Sequence, residues 1–95
     1  MAWVYILVSD QNGKFYIGAS RNVDERLIWH NSVIKNTGHS RKGIPWKIFL
    51  TLECDNMNHA LKVEKHIKKM KSRKFIFDIE KFPDLRKRVI EKYRS

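Results

Sequence analysis

The first eighteen residues constrain the fold more strongly than any other part of the sequence. Trp3 to Ser9 is an apolar run of strand length, rich in aromatic and β-branched residues. Asn12-Gly13 is a strong signal for a tight turn, and the strand pattern resumes over residues 14–18. These segments predict a β-hairpin with a loop, residues 10–13, that is longer than two residues. No basic segment or small-residue cleavage site accompanies the first run, so we expect a strand that is kept, not a signal peptide.

Capping and periodicity signals predict a helix after the hairpin and a third strand beyond it. Asn22, followed three residues later by Glu25, indicates a helix N-cap with a partial capping box. The apolar stripe expected on that helix consists of Val23, Leu27 and Ile34. A polar, glycine-punctuated loop is expected over residues 37–43, and the alternating pattern of residues 46–53 predicts the third strand.

The rest of the chain has helical patterns. Asn56 or Asn58 can cap a helix that runs through about Lys71. The inward stripe expected on it consists of Ala60, Leu61 and Ile67. Residues 72–82 fit a short helix or an extended run, and we favour the helix. Pro83-Asp84 starts a terminal amphipathic helix, with apolar positions at Leu85, Val89, Ile90 and Tyr93.

These elements follow the order β-β-α-β-α-α and predict an α+β fold, in which helices flank a small, three-stranded, largely antiparallel sheet. A chain of 95 residues has the size of a single domain. No stretch approaches the ~18 consecutive apolar residues that a transmembrane helix needs. The single cysteine, Cys54, has no partner for an internal disulfide or a zinc site, which favours a reducing, cytoplasmic location.

Positive charge is concentrated in the last third of the chain. Residues 1–59 hold seven Lys/Arg and five Asp/Glu, whereas residues 60–95 hold thirteen and five, a net charge of +8. Such a concentration attracts polyanions, because each neutralised phosphate releases condensed counterions. We therefore expect nucleic acid as the partner, and no membrane, since no bulky apolar face accompanies the charge. A merely solvated helix face is the alternative. The candidate nucleic-acid-binding residues are Lys62, Lys65, Lys68, Lys69, Lys71, Arg73 and Lys74.

Four residues of the first half are candidates for chemistry. Tyr5 and Tyr16 lie in the two strands of the hairpin, opposite each other or one diagonal apart, so that their hydroxyls can converge on one face. Ordinary strand packing with both hydroxyls at the rim is the alternative. Arg26 and His30 follow one turn apart on one face of the first helix, a spacing that is also common on protein surfaces.

Glu64 is the one acidic residue among the basic candidates, and it shares a helical stripe with Ala60 and Ile67. A carboxylate on the apolar side of a helix must pair, bind a cation or protonate, because an unpaired buried charge is costly. An ion pair with Lys68 at i+4 is one solution. A cation such as Mg²⁺ is the other, since it keeps most of its waters and takes only one or two protein carboxylates.

The remaining reactive residues carry less information. His39 lies in the polar loop, and His59 and His66 lie on or near the basic helix without the spacing of a zinc site. Cys54 has no base near it in sequence and is interpreted as a small buried hydrophobe. No glycine-rich phosphate loop is present, so no nucleotide cofactor is expected.

The chain resembles the GIY-YIG nuclease domain, and in particular the small stand-alone bacterial members of that superfamily. The resemblance covers residues 3–74, and its most specific stretch is residues 16–31; further matching blocks are Pro45-Trp46 and residues 60–68. Residues 75–95 extend the same domain with helix. The residues that carry the resemblance are Tyr5 in Trp3-Val4-Tyr5, Tyr16 in Tyr16-Ile17-Gly18, Arg26, His30 and Glu64.

The resemblance implies a metal-dependent endonuclease that hydrolyses phosphodiester bonds. It implies that Tyr5 and Tyr16 are the two motif tyrosines and that Glu64 binds one Mg²⁺ or Mn²⁺ ion. Cleavage needs an aligned water and neutralisation of the charge that builds on the phosphoryl oxygens. We therefore assign water activation to Tyr5, orientation to Tyr16, assistance to His30 and phosphate contact to Arg26, whose fork of donors suits a phosphate.

Three functional hypotheses follow. The first is a divalent-metal endonuclease that acts on DNA rather than RNA, or on branched or damaged nucleic acid. The second is a nucleic-acid-binding module of the same fold that cleaves little. The third is a nuclease whose substrate channel is completed by a protein partner, which would supply specificity.

Overall fold

The structure, a computed structural model, describes residues 1–94. Within them three strands form one antiparallel sheet in the order β2-β1-β3. The strands are β1 (Ala2–Ser9), β2 (Phe15–Ser20) and β3 (Trp46–Cys54). The helices are α1 (Val23–Asn31), α2 (Met57–Met70), α3 (Arg73–Lys81) and α4 (Pro83–Lys92), and a short 3₁₀ helix spans His39–Gly43. The predicted α+β fold is confirmed, and the ambiguous residues 72–82 contain a helix of their own.

β1 is the central strand because it is the most apolar of the three and nearly all of it is buried. It pairs with β2 so that Tyr5 lies opposite Gly18 and Leu7 lies opposite Tyr16. It pairs on its other side with β3, with a shift of register between Ile6 and Leu7. The predicted hairpin is confirmed.

The two faces of the sheet are covered differently. Alternate residues of a strand point to opposite faces. On one face, Ala2, Val4 and Ile6 of β1 belong to the main apolar core, which also holds residues of α2, α3 and α4. We call these three helices the helical layer. The opposite face, called the α1 face below, carries Tyr5 and Leu7 in a smaller cluster with Trp46 and with residues of α1.

The helix boundaries follow from capping residues. Asn22, Asn56 and Ser72 each accept a hydrogen bond from the backbone N–H three residues further on, which satisfies a free donor at the start of α1, α2 and α3. Asn56, rather than Asn58, is therefore the cap of α2. Pro83 occupies the first turn of α4, where its missing N–H costs nothing. Lys71, the C-cap residue that follows α2, is in the left-handed region, at φ 47°.

Three local predictions are wrong. Ile34 is 90% exposed, because α1 ends at Asn31 and Ile34 lies in the turn beyond it. Leu61 is 47% exposed, since it lies about 100° around the helix from the buried Ala60. Val63 takes its place in the buried stripe. The segment interpreted as a polar loop contains the 3₁₀ helix over His39–Gly43.

Candidate active site

The two hairpin tyrosines meet on the α1 face. The register places Tyr16 one diagonal from Tyr5, since Tyr16 is opposite Leu7 and Tyr5 is opposite Gly18. Their rings stack with centroids 6.3 Å apart and an angle of 24° between the planes. Tyr5 is buried, whereas Tyr16 is half-buried. The predicted convergence of the two phenols is confirmed in its diagonal form.

Gly18 allows Tyr5 to lie directly on the backbone of β2. A Cβ atom at position 18 would collide with Cζ and Oη of the Tyr5 ring. The need for glycine here is steric, because any side chain would push the phenol away from the strand. The glycine of the Tyr16-Ile17-Gly18 motif therefore sets the position of the Tyr5 hydroxyl.

His30, from the last turn of α1, contacts both tyrosines. Its Nε2 lies 3.1 Å from Oη of Tyr5, and its ring centroid lies 4.4 Å from that of Tyr16. The side chain is fully buried. Burial, and next the positive charge of Arg26, lower the pKa of His30 from 6.5 to about 4. His30 is therefore a neutral imidazole at pH 7.

Arg26 lies one helical turn before His30 and acts on the same phenol. Burial raises the pKa of Tyr5 above 10.0, while the neighbouring Arg26 side chain lowers it. The guanidinium also stacks over the ring of Trp29, 4.6 Å from its centroid. The predicted pair of Arg26 and His30 thus faces the site rather than open solvent.

Glu64 reaches the same site electrostatically from α2. Its charge contributes to the raised pKa of Tyr5, as does that of Tyr16. The Glu64 side chain is only 14% exposed, and its Oε2 lies 2.9 Å from Nζ of Lys68. The carboxylate lies on the covered side of the helix, as the spacing predicted, and of its two predicted partners the structure shows the lysine at i+4.

The single carboxylate of Glu64 fits a hard cation that takes most of its ligands from water. Among residues 1–94 no group of three or more His, Cys, Asp and Glu side chains lies close enough to enclose a metal ion. A single carboxylate matches Mg²⁺ or Mn²⁺, which take one or two carboxylates together with water and phosphate oxygens. Zn²⁺ in a structural site would need four protein ligands.

Sequence reasoning missed two buried polar residues behind His30. Ser40 Oγ lies 2.8 Å from Nδ1 of His30, and Asn36 Nδ2 donates to Ser40 Oγ over 2.8 Å. Ser40 is 6% exposed and Asn36 is fully buried. Neither residue belongs to a periodic pattern, so the sequence offered no signal beyond two polar residues in a segment that looked like an exposed loop.

Trp46 anchors the segment that carries Ser40. Its indole Nε1 donates to the backbone oxygen of Ser40 over 2.6 Å. The side chain of Asn31, the last residue of α1, donates a hydrogen bond to the backbone oxygen of Trp46 and accepts one from its backbone N–H. Gly43 leaves room for this indole, because a Cβ there would collide with the ring. The Pro45-Trp46 block of the sequence therefore supports the site from behind.

The basic run divides between different surfaces instead of forming one helix over residues 62–74, because α2 ends at Met70. One group lines a shallow cavity of about 470 Å³ together with His66 and Tyr93. This group consists of Lys62, Lys65 and Lys69. A second group borders a cavity of about 300 Å³ beside β2 and consists of Lys68, Lys71 and Arg73. Lys74 forms an ion pair of 3.0 Å with Asp78.

The other histidines and the cysteine lie outside the site. His59 is buried in the helical layer with both ring nitrogens bonded to backbone groups, and His39 is exposed. Cys54 is buried in the core, as predicted, and burial raises the pKa of its thiol. Within residues 1–94, none of the helices has the length and apolar character required to cross a membrane.

The family model of the GIY-YIG catalytic domain matches residues 1–76 of this 95-residue chain. The matched range includes Tyr5, Tyr16, Arg26, His30 and Glu64. Searches among curated proteins and among solved structures gave no match. The chain belongs to the GIY-YIG family and has its nuclease-type fold, and the resemblance inferred from the sequence is confirmed.

Proposed function

We propose that the protein is a divalent-metal-dependent endonuclease that hydrolyses phosphodiester bonds in nucleic acid. One observation carries the proposal: the buried Tyr5 hydroxyl is bonded to His30, and Arg26 and Glu64 both act on it electrostatically. A phenol in contact with an imidazole, a guanidinium beside them and a carboxylate close enough for its charge to act on the phenol are the groups that phosphodiester hydrolysis needs. Family membership supports the same conclusion.

The chain's own groups divide the work as follows. Arg26 offers a permanently charged fork to a phosphate, which neutralises charge in the transition state. Tyr5 must first lose its own proton to solvent, and its phenolate then accepts a proton from the attacking water. Tyr16 orients that water from the neighbouring position in the stack. His30 is neutral at pH 7, so it supports Tyr5 by hydrogen bonding and adds no positive charge.

Glu64 is the residue that would hold a Mg²⁺ or Mn²⁺ ion. Such an ion, when bound, supplies Lewis-acid stabilisation of the phosphoryl and leaving oxygens. The ion pair with Lys68 orients the carboxylate, and substrate phosphate provides a second partner for the lysine. Glu64→Gln should weaken the binding of Mn²⁺, measured by the enhancement of water proton relaxation. Glu53→Gln, which changes an exposed carboxylate on β3, is the control and should not weaken it.

A second candidate function is supported by two observations. Lys68 pairs with Glu64 at 2.9 Å, and burial raises the pKa of Tyr5; the first competes with metal binding and the second opposes formation of the phenolate. A nucleic-acid-binding module that cleaves little would keep both features together with the basic surfaces. The two functions differ in turnover and share nucleic-acid binding.

Nucleic acid is the partner in either case, and DNA is the substrate to test before RNA. The positive surfaces of Lys62, Lys65 and Lys69 and of Lys68, Lys71 and Arg73 contact the sugar–phosphate backbone, which carries no sequence information. A protein partner would then supply the specificity of cleavage. A cytoplasmic location, which the single cysteine favours, provides both Mg²⁺ and nucleic acid.

The experiment is a cleavage assay with purified protein on end-labelled single-stranded, duplex and branched DNA and RNA, with Mg²⁺, Mn²⁺ or EDTA. Wild-type protein and Glu53→Gln should cleave at least one substrate with metal and none with EDTA. Glu64→Gln and Arg26→Gln should lose cleavage by a factor on the order of 100 or more, while nucleic-acid binding is retained. If wild-type protein cleaves none of the substrates but still binds nucleic acid in a salt-dependent way, the nuclease proposal is wrong and the protein is a binding module.

A further inference from the structure

The hydroxyl of Ser40 connects the catalytic histidine to a fixed amide behind it. Within residues 1–94, Oγ of Ser40 has two hydrogen-bond partners, Nδ1 of His30 and Nδ2 of Asn36, each at 2.8 Å. All three side chains are buried. A hydroxyl can donate one hydrogen bond and accept two, so the direction of each bond depends on its neighbours.

The backbone fixes the orientation of the Asn36 amide. Its Oδ1 accepts from the N–H of Gly38 over 3.0 Å, and its Nδ2 donates to the carbonyl oxygen of His30 over 2.8 Å. A flipped amide would place two acceptors against each other at His30 and two donors against each other at Gly38. The contact with Ser40 therefore comes from the second proton of Nδ2, and Ser40 Oγ accepts it.

The proton of Ser40 then has one acceptor, Nδ1 of His30. If Nδ1 carried a proton instead, the hydroxyl proton of Ser40 would have no acceptor among residues 1–94, and such a group is costly. In the tautomer protonated on Nε2 it is the proton of the Tyr5 phenol that has no acceptor, and a phenol, unlike a serine hydroxyl, can give up its proton to water. We propose that Ser40, held by Asn36, fixes His30 as the tautomer protonated on Nε2, so that His30 donates to the Tyr5 oxygen. Only the catalytic consequence of this inference rests on the proposed function.

The direction of the last bond determines what Tyr5 can do. A donor at Nε2 leaves the Tyr5 proton free to leave the site and stabilises the phenolate that remains. The phenolate then takes one proton from the attacking water, the water oxygen bonds to phosphorus, the bond from phosphorus to the leaving oxygen breaks, and that oxygen takes a proton from solvent. In the opposite tautomer, Nε2 accepts a hydrogen bond from the Tyr5 hydroxyl and stabilises the neutral phenol. Ser40 and Asn36 are positioning residues that act through His30, a role known to matter for catalytic histidines.

The direct test is the tautomeric state of His30, read from long-range ¹H–¹⁵N correlations of the imidazole rings in uniformly labelled protein. His59 is an internal reference, because its Nδ1 accepts from the N–H of Asp55 and its Nε2 donates to the carbonyl of Ile90. Wild-type protein should show both rings protonated on Nε2. A wild-type His30 that is protonated on Nδ1 overturns the inference.

Three variants test the chain of hydrogen bonds behind His30. Ser40→Thr is the control, because it keeps the hydroxyl and should keep the tautomer. Ser40→Ala removes the donor to Nδ1 and should move proton density towards Nδ1. Asn36→Asp turns a donor into an acceptor for the Ser40 hydroxyl, so that Ser40 must accept from His30, and should place a proton on Nδ1. An Nε2 tautomer that persists in both Ser40→Ala and Asn36→Asp, with the His59 signals unchanged, contradicts the role of Ser40.

Cleavage kinetics test the catalytic consequence separately. Ser40→Ala should lower kcat on the order of 10- to 100-fold with little change in KM, and Ser40→Thr should restore most of it. Unchanged kcat in a Ser40→Ala protein whose tautomer has moved rejects the catalytic role. If wild-type protein cleaves nothing, the proposed function fails, and the imidazole spectra still decide the assignment of the tautomer.

Discussion

Each side of the sheet buries one histidine with both ring nitrogens bonded, yet the two histidines differ in what they can do. His59, in the helical layer, bonds two backbone groups whose roles as donor and acceptor are fixed. His30, on the α1 face, bonds two hydroxyls, of Tyr5 and Ser40, and each hydroxyl can donate or accept. His59 therefore ties α2 to α4, whereas the directions of the hydrogen bonds at His30 depend on side chains, and in the tautomer proposed above Asn36 sets them through Ser40.

Burial and hydrogen bonding alone therefore do not distinguish a catalytic histidine from a structural one. The partners do, because side-chain hydroxyls leave a choice of proton positions and backbone groups do not. The surroundings add to the difference, since Arg26 lies against His30 and its charge also acts on Tyr5. The comparison supports the catalytic role proposed for His30 on the α1 face and a structural role for His59, although α2 of the helical layer also carries Glu64.

Matched substitutions of the two histidines should give the largest difference. His30→Gln removes the support of Tyr5 and should lower the cleavage rate on the order of 100- to 1,000-fold, the effect of losing one donor aimed at developing charge. His59→Gln should leave the rate per folded molecule unchanged and lower the free energy of unfolding by about 1–3 kcal/mol. Single-turnover cleavage and urea unfolding measure both effects. Equal losses of cleavage rate in His30→Gln and His59→Gln would contradict the assignment of different roles to the two histidines.

Two glycines test the placement of Tyr5 in the same way. Gly18→Ala forces the phenol off β2 and should cost about 100-fold in cleavage rate, as expected for a misplacement of about 1 Å. At Gly38 a Cβ atom would meet Asn36 Oδ1 at 3.6 Å, an ordinary contact, so Gly38→Ala is the control. The stacking of Tyr5 on Tyr16, followed by near-ultraviolet circular dichroism, should change in Gly18→Ala alone. Retained activity in that variant would show that the site tolerates a displaced phenol.

Acid should destabilise the protein through His30. Its pKa is about 4 in the folded chain and 6.5 when exposed, so the unfolded chain binds the proton first as the pH falls. The stabilisation is complete above pH 6.5 and declines towards pH 4, by on the order of 3 kcal/mol. Burial lowers the pKa of His66 as well, so the test is the difference between wild-type protein and His30→Gln. That variant should show a shallower decline in urea unfolding, and parallel curves would contradict the shift.

The smallest effect is expected from the outer surface of the helical layer. Changing Lys62, Lys65 and Lys69 to glutamine should reduce the slope of log affinity against log salt by about 2–3, without changing the single-turnover rate at saturation. The control removes the same charge elsewhere, at the exposed Lys81, Lys87 and Arg88. Fluorescence anisotropy with a labelled duplex measures both sets. Equal loss of slope in the two triple variants would mean that overall charge, not this surface, binds the substrate.

Most of the fold, and the part of the site formed by Tyr5, Tyr16, Arg26 and His30, could be predicted from the sequence. The hairpin pattern put Tyr5 and Tyr16 on one face, and helical spacing put Arg26 and His30 on another that packs against it. Local capping residues such as Asn22 marked the helix starts. These features could be predicted because each depends on residues that are close in sequence or directly paired.

The back of the site could not be predicted, because it depends on a segment without periodicity. Asn36 and Ser40 look like loop residues, and only the packing of Trp46 over Gly43 brings them behind His30. The stripe through Ile34 failed for a related reason, since helical spacing does not show where α1 ends. Glu64 was an intermediate case, because its spacing predicted a covered carboxylate but did not decide between an ion pair with Lys68 and a bound cation.

A comparison of the two tyrosine–histidine pairs tests the account most directly. Tyr5 bonds His30 at 3.1 Å on the α1 face, and Tyr93 bonds His66 at 2.6 Å in the helical layer. The measurement is the single-turnover rate of Mg²⁺-dependent nucleic-acid cleavage by Tyr5→Phe and Tyr93→Phe, each of which loses only a hydroxyl. We predict that Tyr5→Phe loses cleavage and that Tyr93→Phe retains it. Cleavage by Tyr5→Phe at the wild-type rate would contradict the account.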